Sequence, residues 1–135
     1  MDPGNFQALL WSARAYRTTG RPEQGLRMIE DAIARVGRPP TVLAELGTLM
    51  ARLGRPEEAR AILEELSELG LRRYVSGFHE ASVYHALGEQ EELRRCFDRL
   101  VAERSPMIQF LADPSWEDVR KKDWCRALLS RAGVG

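Results

Sequence analysis

The tetrapeptide Gly-Arg-Pro-Glu stands at residues 20–23 and again at residues 54–57, and the 34-residue offset between the copies organises most of the chain. At that offset Gly20 falls on Gly54, and Gly54 on Gly88. Upstream of the glycines, Ala13, Gly47 and Ala81 align as small residues, and Tyr16, Met50 and Tyr84 as large ones. Downstream, Gly25 aligns with Ala59 and Leu93, Ile29 with Leu63 and Phe97, and Ala32 with Leu66 and Leu100. A chain that repeats its residue sizes at one fixed period folds as a row of equivalent units, each burying its apolar face against the next.

Within a unit the apolar residues recur every three or four positions, as in Leu9, Leu10, Ala13 and Tyr16, and then Met28, Ile29, Ala32, Ile33 and Val36. That is the period of an amphipathic helix, so each unit is predicted to hold two helices. Gly20, Gly54 and Gly88 fall where the first helix should end, a place where glycine takes the left-handed conformation without steric cost. Pro22 and Pro56 follow two residues later, in the first turn of the next helix, where a missing N–H leaves nothing unsatisfied. Glu57, Glu58, Glu89, Glu91 and Glu92 crowd the starts of second helices, where the positive end of the helix dipole favours carboxylates.

A helix-turn-helix unit of this length, with small residues at the helix crossings, resembles the tetratricopeptide repeat. Leu46-Gly47, Tyr84, Ala59 and Phe97 stand where that family's pattern expects a leucine-glycine pair, a tyrosine, an alanine and a phenylalanine. The departures are Ser12 and Glu80 in line with Leu46, Gly77 in line with Leu9 and Leu43, and Leu93 in line with Ala59. The resemblance implies an all-α fold: a right-handed superhelical stack of antiparallel helix pairs with C-terminal capping helices. It divides one domain into repeats at about residues 5–38, 39–72 and 73–106, and leaves residues 107–133 for the cap. In the cap, Phe110, Leu111, Trp116, Val119, Trp124 and Leu128 are expected to turn inward. Tyr74-Val75-Ser76, Ala86-Leu87-Gly88, Glu103-Arg104-Ser105-Pro106 and Asp113-Pro114, followed by Trp116 and Leu128-Leu129, resemble the C-terminal repeat region of bacterial multidomain regulators and signalling proteins. Pro3 lies 34 residues before Gly37, where a repeat of this family closes with a proline. Residues 1–4 are therefore read as the remnant of a preceding repeat, and the chain as a piece of a longer regulatory or signalling protein.

Twenty basic side chains balance twenty acidic ones over 135 residues, so no global field draws the chain to nucleic acid or to an anionic membrane. With 30% of the residues charged and no apolar run of spanning length, no membrane partner is expected and the expected location is the cytoplasm. Arg120, Lys121, Lys122, Arg126 and Arg131 are diluted by Glu117, Asp118 and Asp123, and read as a solvated final helix rather than a phosphate-binding surface.

The residues with chemical potential form no catalytic set, so the chain is read as no enzyme, with no cofactor and no metal. His79-Glu80 and His85 invite comparison with a zinc helix, but histidines six apart lie about 240 degrees round a helix and cannot chelate one ion. His85 reads as a groove-facing polar residue and His79 as a solvated one. Cys96 shares a column with Met28 and Ile62 and reads as a small core residue; Cys125 has no base to make it a nucleophile. Glu57-Glu58, Glu64-Glu65 and Glu91-Glu92, with arginines three or four residues away such as Arg94 and Arg95 after Glu91, read as ion-pairing helix faces.

In tetratricopeptide proteins the first helices of successive units line the concave side, where a peptide or partner helix can lie. Transferred by the 34-residue offset, that lining gives five columns: Gln7, Thr41 and Val75; Leu10, Ala44 and Phe78; Arg14, Thr48 and Ser82; Arg17, Ala51 and His85; Thr18, Arg52 and Ala86. The carboxylate clamp of chaperone-binding relatives also needs asparagines, which no column supplies. An apolar strip beside three arginines implies a protein or peptide partner with apolar anchors and an acidic group. A second reading is structural: Phe6, Leu9, Leu10 and Trp11 form an apolar cluster on the first helix that would support a homodimer or a spacer between domains.

Overall fold

The computed structural model describes residues 3–105, 111 and 116–131. Its helices, in chain order, are α1 (Pro3–Thr18), α2 (Pro22–Val36), α3 (Pro40–Arg52), α4 (Pro56–Gly70), α5 (Gly77–Leu87), α6 (Gln90–Ala102), α7 (Glu117–Arg120) and α8 (Asp123–Arg131). Among the described residues there is no strand. α1 packs on α2, α3 on α4 and α5 on α6, and α3 and α5 also pack side by side across the pair boundary. The protein is an all-α stack of helix pairs.

The hairpin inside each pair is one local structure made three times. Gly20, Gly54 and Gly88 take φ of 81°, 75° and 77°, in the left-handed region. The residue after each glycine then donates its N–H back into the last turn: Arg21 to Tyr16 (2.7 Å), Arg55 to Met50 (2.9 Å) and Glu89 to Tyr84 (3.0 Å). This closes carbonyls that the helix end would leave unsatisfied. Pro22 and Pro56 are the first residues of α2 and α4. The sequence phrase is therefore a turn, a left-handed glycine and a helix start in succession. A fourth turn of this kind ends α6 without glycine: Arg104 takes φ 54°, and Ser105 donates to Leu100 at 2.9 Å.

Side chains from successive pairs fill one continuous interior. Ala13, Ile29, Val42, Leu43, Leu46, Leu49, Ile62 and Leu66 form the core of the first two pairs. Ala59, Leu63 and Val83 carry it across to the third. The last cluster joins Ala81, Leu93, Cys96, Phe97 and Leu100 to Leu111, Trp116, Val119, Cys125 and Leu128. The inward turn of Leu111, Trp116, Val119 and Leu128 is thus observed, and Trp124 is half-buried against the same cluster. Phe110 lies outside the described residues, as do the side chains of Pro3 to Phe6. Pro3 itself is the first residue of α1.

Two expectations about the surface change. The acidic faces pair between units as well as within a helix: Arg38 reaches Glu65 on α4 at 2.6 Å, and Arg60 on α4 reaches Glu89. Within α6 the pair is Arg95 with Glu92, three residues back, rather than with Glu91, four back. Val36, read as part of an apolar face, is 37% exposed at the end of α2. Among the described residues no helix is long and apolar enough to cross a membrane.

The third unit also starts late. By the 34-residue offset Tyr74 is the counterpart of Pro40, the first residue of α3, yet α5 begins only at Gly77. Ser76 caps it, its hydroxyl accepting the N–H of Phe78 at 3.3 Å. A serine side chain that satisfies an otherwise orphan donor sets the start of a helix more strongly than the repeat's own spacing.

Candidate functional site

The inner face of α1, α3 and α5 encloses a cleft of about 400 Å³. Of the residues assigned to the lining by spacing, Gln7, Leu10, Arg14, Arg17, Thr41, Ala44, Thr48, Arg52, Phe78, Ser82 and His85 all border it. Helices stacked at a constant offset put equivalent positions in one row, which is why residues far apart in sequence share this wall.

Val75 does not border it, and neither do Thr18, Ala51 and Ala86 of the outer columns. With α5 starting at Gly77, Val75 precedes the helix; it packs against the core of the first two pairs and faces a separate depression with Tyr74, Glu80 and Arg99.

Among the described residues, four others line the cleft: Trp11, Glu45, His79 and Trp116. The first three are themselves a column at the 34-residue offset, so the spacing that assigned the other columns also contains this one. His79 is not solvated, as its place in the sequence suggests. It is half-buried, and that burial lowers its pKa below the usual histidine value. Trp116 comes from beyond the three repeats, and at the 34-residue offset it falls on Ser82, at the end of the column of Arg14, Thr48 and Ser82.

The electrostatics differ from a plain row of arginines. Arg17 on α1 donates through Nε to Glu45 on α3 at 2.5 Å, with side chains only 14% and 11% exposed. Its charge is largely answered inside the wall. Arg14 lies over the indole of Trp11, 5.8 Å from the ring centre. Arg52, at the last turn of α3, is exposed and makes no ion pair among the described residues. The hydroxyls of the middle column are turned away: Thr48 donates to Ala44 at 2.7 Å and Ser82 to Phe78 at 3.1 Å, both within their own helices. The floor they form is apolar in effect, with its donors already used.

At the α5 end the tail closes the cleft. The imidazole of His85 stacks on Trp116 with centroids 4.5 Å apart, and its Nε2 donates to Asp118 at 3.0 Å. Burial pushes the Asp118 carboxyl up, but the hydrogen bond and charge of His85 outweigh it and hold the group below its usual range. Phe78 packs on the same indole at 5.3 Å.

The two thiols lie elsewhere. Cys96 is buried and pushed up to about 12, chiefly by desolvation; Cys125 is buried and raised for the same reason. Thiols held protonated in this way are poor nucleophiles at neutral pH. Among the described residues no three His, Cys, Asp or Glu side chains stand together to hold a metal ion.

A family model described as tetratricopeptide repeat matches residues 7–31 and 40–65, the segments that form the first two helix pairs. No curated protein and no solved structure matches the chain.

Proposed function

We propose, for a chain that carries tetratricopeptide repeats at residues 7–31 and 40–65, that the cleft of α1, α3 and α5 is a non-catalytic docking site for a partner protein segment. Tetratricopeptide repeats generally mediate protein–protein interaction. In this chain the segment carries an apolar anchor and at least one acidic group. The observation that carries this reading is the lining itself: an apolar strip of Leu10, Ala44 and Phe78 beside three arginines and one carboxylate, around about 400 Å³ of open space. Arg17 is held by Glu45, and the exposed Arg52 is a cation that meets the partner's carboxylates. The module serves a larger bacterial regulatory or signalling protein in the cytoplasm, without direct contact to nucleic acid or membrane.

The Arg14→Glu, Arg52→Glu double variant tests this. A charge-assisted hydrogen bond contributes about 1.5–3 kcal/mol, so partner affinity should fall roughly 10- to 100-fold, read by titration calorimetry. The melting temperature should hold, because neither arginine is fully buried. Unchanged affinity for a bound partner would remove the cleft as its site.

A second reading rests on Trp11, which is 64% exposed on α1 beside the half-buried Leu9 and Leu10. A large exposed indole next to aliphatic side chains supports self-association through α1. Light scattering then shows a dimer that Leu9→Glu dissolves; a monomer at all accessible concentrations ends that reading.

A further inference from the structure

Among the titratable side chains on the cleft wall, the imidazole of His79 stands apart. Arg17 and Glu45 hold each other, Arg14 lies over Trp11, and His85 bonds to Asp118. The ring of His79 makes no hydrogen bond or ion pair among the described residues, although it is half-buried. No fully buried side-chain nitrogen or oxygen among those residues lacks a partner, so both of its ring nitrogens keep contact with solvent. His79 borders the cleft, and that is where a docked segment can meet them. A polar group withdrawn this far from water without a bond is one whose partner the chain itself does not supply. Burial disfavours the imidazolium and lowers the pKa, so in the free chain the ring is neutral at neutral pH.

Resting on the cleft as a docking site, we infer that His79 is its proton-dependent contact: the imidazole takes up a proton from solution as it pairs with a carboxylate of the partner segment, so docking tightens on acidification. The charges on the elements packed against α5 favour such a partner. α3 brings Glu45, the one carboxylate among the lining residues, which Arg17 of α1 answers, and the exposed Arg52, which makes no ion pair among the described residues. α6 brings Arg99, which pairs with Glu80 of α5 and borders the separate depression. α4 brings no charged side chain to the cleft, and Asp118 stands by His85, further along α5. A segment bearing Asp or Glu is drawn by Arg52; one bearing Lys or Arg is opposed by it, and more so once His79 is charged. A carboxylate against the imidazole raises its pKa from the lowered value of the free chain. Affinity is therefore weakest above the docked value, rises as the pH falls through it, and levels off below the free value. Carboxylates of the partner stay ionised down to about pH 5. A rise of one pKa unit is tenfold in affinity, so docking should be roughly 3- to 10-fold tighter at about pH 5.5 than at about pH 7.5.

The test selects random twelve-residue peptides displayed on phage against the full chain at the lower pH, and synthesises those that Arg52→Glu weakens. Calorimetry at both pH values then compares the unaltered chain with His79→Gln, which keeps a hydrogen-bonding side chain but does not titrate in this range. Circular dichroism of each variant checks the fold. The expected result is acidic peptides that bind the unaltered chain roughly 3- to 10-fold more tightly on acidification, and His79→Gln with less than about a twofold change. The chain has two histidines, so the imidazole signal of His79 can also be followed by NMR, and its titration midpoint should rise when a peptide is bound. If His79→Gln fails to fold, that midpoint alone decides, and one that bound peptide leaves unmoved overturns the inference. A tightening that His79→Gln retains, or none in the unaltered chain, overturns it and leaves the docking reading standing. No selected peptide, or none that Arg52→Glu weakens, removes the docking reading and this inference with it.

Discussion

Phe97→Ala should lower the unfolding free energy by about 3–5 kcal/mol, the usual loss when a fully buried phenyl is truncated. Small domains hold only about 5–15 kcal/mol in total, so this one change would take a large share of the stability. Phe97 is completely buried in α6, and its ring meets Trp116 at 5.6 Å and Trp124 at 5.9 Å. The phenyl therefore joins the third helix pair to the tail, and alanine would leave a cavity that two fixed indoles cannot refill. Leu63 occupies the equivalent position in the second pair, with a much smaller cluster around it. A urea titration should show the larger loss for Phe97→Ala than for Leu63→Ala; a loss below about 1 kcal/mol would mean that the tail does not pack as described.

Gly47→Val is expected to be nearly as damaging, at about 3 kcal/mol. Glycine inside a helix normally weakens it by about 0.5–1 kcal/mol relative to alanine, so at an open position any side chain would help. Position 47 is not open. A Cβ there would stand 2.8 Å from Cγ2 of Val83 on α5 and 3.1 Å from Cγ2 of Ile62 on α4. Both neighbours are β-branched residues in helices, where one χ1 rotamer dominates, so neither can swing clear. The clash must be relieved by moving α3 away from α5. Val83→Ala in the same chain should recover at least part of the loss, and thermal melting of the single and double variants measures it. A Gly47→Val protein as stable as the parent would show that α3 and α5 do not approach so closely.

Much of this was legible in the sequence, because the residues that set the fold act locally. The left-handed glycines, the prolines at helix starts and the alternation of small and large residues each constrain a few neighbouring positions, and the offset then copies the solution along the chain. The cleft was legible for the same reason, since an offset that aligns helices also aligns their inner faces. What escaped has particular causes. Val75 was assigned to the wall because the spacing was taken to hold through the third unit, but the Ser76 cap moved the helix start to Gly77. His79 was misjudged because its burial depends on neighbours from other helices rather than on its own. Trp116 was expected to turn inward, and does, but not to border the cleft: the lining was carried only through the third repeat, one step short of the position 34 residues after Ser82. Arg17 was counted among the cations, but Glu45 on the next pair answers it, which a single column does not reveal.

The hairpin described above also governs how the chain reaches this state. Arg17 meets Glu45 28 positions on, Arg38 meets Glu65 27 on, Arg60 meets Glu89 29 on, and His85 meets Asp118 33 on. Each of these links joins one unit to the next, so the chain entropy lost in closing it is that of a single repeat, however many units are stacked. Search for the native arrangement is therefore a sequence of short closures, the regime of low contact order in which helical proteins fold fastest. Order can begin at any hairpin and spread to either neighbour, as it does along a one-dimensional lattice.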